Sequence, residues 1–307
     1  MKLSIQAFGV DFQNPVLLAA GTCGFGMELV DVLDIEALGG FVTKSITLEA
    51  RLGNPAPRVA EFESGMINSV GLANPGLAQA RSDKLPWIAA NVRRAKVLVS
   101  IAGHTVGEYF QLIEGLDEAD GFAGFEINLS CPNDARRDGV PFALDLDAVS
   151  KIIAGCRERT SRPISAKLAP NDPRLPETIK RAEEGGANAI TLVNTAPGLL
   201  LDPDSGQARL GQGAGGVSGP ALFPMGIRAV KEARAVTGLP ILGVGGVLSV
   251  SDAVAYRRVG ADLIQMGTAT FAAPRAAEDL ISGLMRWGKD SDVSSWSELG
   301  RVEDLEA

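Results

Sequence analysis

One histidine, His104, and three cysteines, Cys23, Cys131 and Cys156, are all the imidazoles and thiols of this 307-residue chain. A single histidine excludes a multi-histidine metal site, and a Ser–His–Asp triad would have to use that one residue. His104 follows a strand in IAGHT, where a loop or helix-cap role is expected. Three thiols, far apart and odd in number, make no disulfide framework and suit a reducing cytosol. They also fall short of the four thiolates that a usual iron–sulfur cluster takes. Positive charge is in deficit. The formal net charge of −8 argues against a nucleic-acid partner, because phosphate binding wants a basic face. Long apolar runs are missing too. None approaches the roughly 18 residues of a membrane span. Met1 leads into KLSIQAFGVDF with no apolar h-region, so no signal peptide is expected. These absences predict a cytoplasmic protein with no membrane contact. No linker, low-complexity run or composition shift divides the chain, so one domain over 1–307 is expected.

What is present is a regular alternation. Residues 3–12 read as a small hairpin turning at Gly9. Short, nearly continuous apolar runs follow at 16–20, 41–44, 97–102, 124–129, 164–168, 189–193, 240–244 and 263–266. Such runs are how parallel strands covered on both faces read. Helical patterns lie between them at 27–38, 77–94, 106–119, 146–159, 175–184, 226–237, 250–259 and 276–286. Strict βα alternation predicts a parallel sheet. Eight units in this length predict a closed (β/α)8 TIM barrel, with a doubly wound open sheet as the alternative. After Gly288 the tail is acidic, and Trp296, Leu299, Val302 and Leu305 predict one short docking helix. Three connections exceed ordinary βα loop lengths: 45–76, 130–144 and 194–224. All three follow strand C-termini, the face on which barrel enzymes carry their chemistry.

The strand ends hold the candidate groups. FEINLSCPN at 125–133 places Asn128 at a strand end and Cys131 just beyond it, between Ser130 and Pro132. A lone intracellular Cys is commonly a small buried hydrophobe. Its place in a polar loop past a strand end argues instead for a reactive thiol. Lys44 ends the second barrel strand, where a solvated role is the plain alternative. Lys167 sits inside an apolar run, and a lysine there is rarely buried without a partner. AAGTCGFG at 19–26 is a tight glycine turn without the spacing of the dinucleotide fingerprint. GVGG at 243–246 and MGT at 266–268 end the seventh and eighth barrel strands, where barrels often bind phosphate on backbone N–H groups. With no Walker lysine, that phosphate would belong to a cofactor. Asn68, Asn74, Asn128, Asn133 and Asn194 add amides, each both donor and acceptor, suited to a planar heterocycle. Carboxylate pairs are absent from these places, which counts against glycoside hydrolysis. The set fits a flavin mononucleotide barrel acting on a heterocycle.

These residues resemble dihydroorotate dehydrogenase, class 1, over roughly residues 3–286. The resemblance rests on GTCGFG at 21–26, TKSIT at 43–47, GNPAPR at 53–58, NSVGLANPG at 68–76, INLSCPN at 127–133, KLAPN at 167–171, VNT at 193–195, GGVSGP at 215–220, GVGG at 243–246 and QMGTA at 265–269. Cys131, where the membrane-bound class has Ser, marks class 1. GTCGFG looks like the NAD-linked type 1B, whose members usually read GTFGFG; Cys23 replaces that Phe, and KLAPN replaces the commoner KLSPN. The resemblance implies FMN and the oxidation of dihydroorotate to orotate for pyrimidine synthesis. Cys131 would remove the C5 proton while hydride leaves C6 for flavin N5. Lys44, Asn68, Asn128, Asn194 and Thr195, with backbone from Ser69, Val70, Gly71 and Leu72, would hold the substrate. Ala20, Lys44, Ser45, Ser100, Asn128, Lys167, Val193, Gly219, Gly245, Gly246, Gly267 and Thr268 would contact FMN. A type 1B chain implies a partner subunit carrying FAD and a 2Fe–2S cluster, in a heterotetramer with two of each chain. A fumarate-linked type 1A enzyme is one alternative. A dihydropyrimidine dehydrogenase-like subunit is another, although such chains usually read SCPH where this one reads SCPN.

Overall fold

The computed structural model describes residues 1–130 and 141–300. An antiparallel hairpin opens the chain, β1 (Ile5–Ala7) and β2 (Val10–Phe12), with Gln6 opposite Asp11. Phe8 and Gly9 form its turn, both at positive φ. Eight parallel strands then close into one barrel. They are β3 (Val16–Leu18), β4 (Gly40–Val42), β7 (Lys96–Ile101), β8 (Gly124–Asn128), β9 (Ile164–Lys167), β10 (Ala189–Leu192), β13 (Ile241–Val244) and β14 (Leu263–Met266). β14 returns to pair with β3, Gln265 beside Leu17, which closes the ring. The barrel expectation holds and the open sheet is excluded.

Side-chain alternation divides each strand between two surroundings. One set faces the helices: Val16, Leu18, Phe41, Val97, Val99, Phe125, Ile127, Ile164 and Ile190 belong to the large outer core. The other set points into the barrel. Its lower layer, Leu17, Val42, Leu98, Ala189, Leu242 and Leu263, packs on Phe12 and Val10 of the hairpin and forms a separate apolar plug. The strands are therefore not uniformly apolar: two residues beyond Val42, Leu98, Ala189 and Leu263 stand Lys44, Ser100, Thr191 and Gln265.

The outer helices are α1 (Gly76–Gln79), α2 (Leu85–Asn91), α3 (Val106–Leu116), α4 (Leu146–Arg157), α5 (Leu175–Glu184), α6 (Phe223–Arg234), α7 (Val250–Arg258), α8 (Ala269–Ala272) and α9 (Ala276–Asp290). A π-helical turn, Ala80–Lys84, joins α1 to α2. Their starts are set by local chemistry. Thr105, Asp145 and Ser249 cap α3, α4 and α7 through side-chain oxygens, and Ser249 with Asp252 forms a capping box. Thr105, not His104, is the α3 cap; the exposed His104 pairs its Nε2 with Arg51 at 2.7 Å.

One expectation fails. The segment 27–38 forms turns and one 3₁₀ turn, Ile35–Ala37, in place of a helix. Its apolar residues Leu33, Ile35 and Leu38 are buried all the same, so apolar spacing in a tight loop mimicked a helical stripe. Beyond α9 and up to residue 300, the tail docks by turns and an isolated bridge, with no helix among its described residues. Trp296 is fully buried, donates its indole N–H to the Asp262 carbonyl, and lies beside a bridge from Lys2 to Ser295. Val302 and Leu305 lie outside the described residues.

The long loops after β4 and β10 are structured. They contribute β5 (Val59–Phe62), β6 (Gly65–Asn68), β11 (Ala196–Gly198) and β12 (Gly215–Ser218), a four-stranded antiparallel sheet at the C-terminal mouth. It brings two loops about 150 positions apart into register, with Asn68 opposite Gly216.

Candidate active site

A cleft of about 1190 Å³ opens at the C-terminal mouth, between the barrel rim and this added sheet. Ala20, Lys44, Ser45, Asn68, Val70, Gly71, Leu72, Asn128, Lys167, Val193, Asn194, Thr195, Gly219, Gly245, Gly246, Gly267 and Thr268 all line it. Ser69 and Ser100 are fully buried behind that surface. Ser100 bonds Ser45 through their hydroxyls at 2.8 Å, and Ser69 Oγ accepts from Asn54 Nδ2 at 2.8 Å. Cys131, Pro132 and Asn133 lie outside the described residues.

The other two thiols are core groups. Cys23 is 1% exposed and donates to the Val42 carbonyl. Burial, then the Glu28 carboxylate, raises its pKa far above the ordinary thiol range. Burial pushes Cys156 up to about 12 against the opposing pull of Arg159 and Arg157. Neither forms appreciable thiolate at neutral pH.

The polar end of the cleft is a chain of hydrogen bonds. Asn128 Nδ2 donates to Ser45 Oγ at 3.3 Å. Asn194 Nδ2 donates to Asn128 Oδ1 at 3.3 Å and to Ser130 Oγ at 3.0 Å. Tyr109 holds the Asn128 carbonyl at 2.8 Å. Asn68 reaches the cleft from β6 and donates to the Gly216 carbonyl at 3.3 Å. Leu72 adopts φ 54°, unusual for a branched residue, and Gly71 beside it has φ 72°. Their loop is pinned by Asn74, whose amide bonds Thr47, Leu72 and Gly76. Asn74 thus serves the loop and does not line the cleft.

The other end is built of backbone. Gly245 and Gly246 adopt φ 122° and 71°. A Cβ on Gly246 would lie 2.6 Å from Phe223, whereas one on Gly267 would meet nothing nearer than 3.7 Å. Gly267 is therefore bare toward open cleft. Thr268 Oγ1 donates to Ser218 Oγ at 2.8 Å, a cleft residue that its place beside Gly219 in GGVSGP had not singled out. Met66, Leu248 and Phe271 are further lining residues without a sequence signal. Lys44 and Lys167 line the cleft and no carboxylate does among its described residues.

Beneath Lys167 lies Glu126, fully buried and 3.3 Å away. Sequence reading passed over it, although a carboxylate inside an apolar strand carries the same signal that drew attention to Lys167.

A family model for dihydroorotate dehydrogenase matches residues 2–287. The chain belongs to the dihydroorotate dehydrogenase family. It is 36% identical to the catalytic subunit of dihydroorotate dehydrogenase B (NAD(+)) of Pelobacter propionicus over 297 residues, 97% of each chain. It is also 36% identical to the same subunit of Streptococcus pneumoniae serotype 4, over 97% of this chain and 96% of that one. It is 38% identical to dihydroorotate dehydrogenase A (fumarate) of Lactiplantibacillus plantarum, over 92% of each. Members of this family are oxidoreductases that use FMN. No helix among the described residues is long and apolar enough to cross a membrane.

Proposed function

We propose that this chain, as a single FMN-binding barrel domain, oxidises dihydroorotate to orotate in pyrimidine synthesis and passes the electrons to NAD through a partner subunit. The observation that carries the reading is the two-ended cleft, with bare glycine backbone at one end, linked amides at the other and two lysines on its lining. The residues fit FMN. Gly245, Gly246, Gly267 and Thr268 would take its phosphate on backbone N–H groups and a hydroxyl. Lys167 would stand near its ring system, with Ala20, Ser45, Asn128, Val193 and Gly219. Bound FMN would supply the two-electron acceptor for the substrate's hydride.

The chain's own groups would do the rest. Asn68, Asn128, Asn194 and Thr195 would orient the substrate ring, with backbone from residues 69–72. Lys44 would offset the substrate carboxylate. Cys131 would take the C5 proton. A base for a weakly acidic C–H works best with a pKa near the working pH, and a thiol starts near about 8.5.

Anaerobic mixing of the yellow protein with dihydroorotate tests the reaction, and an unbleached flavin would refute it. Re-oxidation separates the acceptors. If the chain is the B type, it needs a second subunit, expected to carry FAD and a 2Fe–2S cluster in a heterotetramer of two and two, located in the cytoplasm. The isolated chain should then reduce NAD⁺ poorly. Efficient fumarate reduction would instead support the A type, a reading favoured by the 38% identity to the fumarate-linked relative.

A further inference from the structure

A buried carboxylate that does not line the cleft is the least expected group in the barrel. Glu126 is 0% exposed on β8. Lys167 Nζ lies 3.3 Å from its Oε1, Thr191 Oγ1 donates to its Oε2 at 3.1 Å, and Gln265 Nε2 donates to the same oxygen at 3.0 Å. Ser165 backs the Thr191 hydroxyl at 2.8 Å. Strands β8, β9, β10 and β14 thus converge on one acceptor. Burying a charge is costly unless it is paired and hydrogen-bonded, and here the chain's own side chains meet both conditions. Lys167 is 5% exposed yet lines the cleft. Glu126 pairs with its ammonium from beneath, and Lys44 is the other charged side chain on the described lining of the cleft.

We propose that Glu126 is a positioning residue for the cofactor site: it fixes the Lys167 ammonium on the cleft floor and offsets part of the positive charge that Lys167 presents to the flavin. This rests on the flavin reading above. The carboxylate is dictated by its neighbours, since all three groups on it are donors. A Gln can keep one oxygen toward Lys167 but must turn an N–H₂ toward the others. Thr191 Oγ1 can accept from it. So can Gln265 Oε1, buried without a partner among the described residues, once that side chain turns over. Glu126→Gln therefore keeps the place of the ammonium and removes the charge beneath it.

The test is a double-mutant cycle on Glu126→Gln, Lys167→Met and the double variant, with two readouts. Thermal melting of the apoprotein needs no flavin. Lys167→Met strands a buried carboxylate, so its midpoint should fall. Adding Glu126→Gln should raise that midpoint, although Glu126→Gln alone does not raise it. A Lys167→Met chain that folds only as the double variant gives the same result in stronger form. The second readout is the reduction potential of bound FMN in Glu126→Gln. With the offset removed, reduced FMN should gain about tenfold in binding relative to oxidised FMN, an upward shift of about 30 mV for a two-electron couple. Additive melting shifts, a double variant no more stable than Lys167→Met, or a potential at or below wild type would each overturn the proposal. A chain that takes up no FMN sinks the flavin reading itself, and the melting cycle still decides the ion pair.

Discussion

At the N-terminal end of the barrel the inward side chains are Leu98, Ala189 and Leu263, closed over Phe12 of the hairpin. Two residues further along the same strands they are Ser100, Thr191 and Gln265, joined by Glu126 and Lys167 from neighbouring strands. The backbone is the same and the register unbroken; only the side chains change. The lower layer gains by removing apolar surface from water, about 25 cal/mol per Å². The upper layer forgoes that gain and spends hydrogen bonds on keeping charges and amides in fixed places. Breaking the lower layer should cost stability and spare chemistry. Breaking the upper layer should cost chemistry, and should cost stability only where a buried charge is stranded or a backbone contact is crowded, as at Lys167 and Gly246.

The largest effect belongs to Cys131. Cys131→Ser should fold, stay yellow and bind orotate, yet lose about 10²–10⁴-fold in the rate of flavin reduction, the usual worth of a general base. The sign with pH follows from the thiol. The thiolate accepts the proton, so wild-type reduction should rise as pH climbs through the thiol's titration, and the Ser variant should lose that rise or move it upward. Stopped-flow reduction across pH 6–10 reads both. Cys23 and Cys156 are buried and poorly ionised, so brief alkylation at neutral pH should label Cys131 and abolish turnover together. A Ser variant within a few-fold of wild type at pH 7 would remove Cys131 from the base role.

Next is the plug. Phe12 is 1% exposed and closes the bottom of the barrel. Phe12→Ala should cost about 3–5 kcal/mol, the range for emptying a buried aromatic site. The urea midpoint should fall, while the folded variant keeps its FMN affinity and its reduction rate. A large loss of flavin affinity at unchanged stability would show that the two layers are not separable.

Lys167→Met tests the upper layer directly. FMN retention should weaken and the flavin's reduction potential should drop, because a cation that favours the reduced state has gone. A titration against a redox dye measures it. An unchanged potential would take Lys167 out of the flavin's surroundings.

How much of this was legible follows from which residues carry local signals. The eight strands and their order were readable, because short apolar runs between helical patterns admit few other folds. Most of the cleft's glycines and amides were readable because they interrupt those runs. The added sheet was not, since β6 and β12 pair across about 150 residues and contain no hairpin between them. Glu126 was missed for a different reason. Alternation within a short strand hides when both faces are buried, so one inward polar residue reads as noise until its partners on three other strands are seen. The segment 27–38 erred the opposite way: its residues are buried, but by turns.

The smallest effect is the most discriminating. Gly267 follows β14 and lines the cleft, and a methyl there would find Ala19 and Thr22 no closer than 3.7 Å, an ordinary contact distance. No positive φ makes the substitution strained. Gly267→Ala should therefore melt within about 1 °C of wild type as apoprotein, since unstrained substitutions away from buried features change stability by only about 0.5 kcal/mol. The methyl would nevertheless stand where a phosphate must approach bare N–H groups. FMN should bind roughly tenfold more weakly, about 1.4 kcal/mol, with the potential nearly unchanged because no charge has moved. Gly246→Ala is the matched control. Its methyl would meet Phe223 at 2.6 Å at φ 71°, so it should lose stability and FMN together. Flavin fluorescence titration alongside apoprotein melting separates the two. If Gly267→Ala binds FMN as tightly as wild type, the phosphate does not lie on the loop after β14, and the backbone-built end of the cleft needs another occupant.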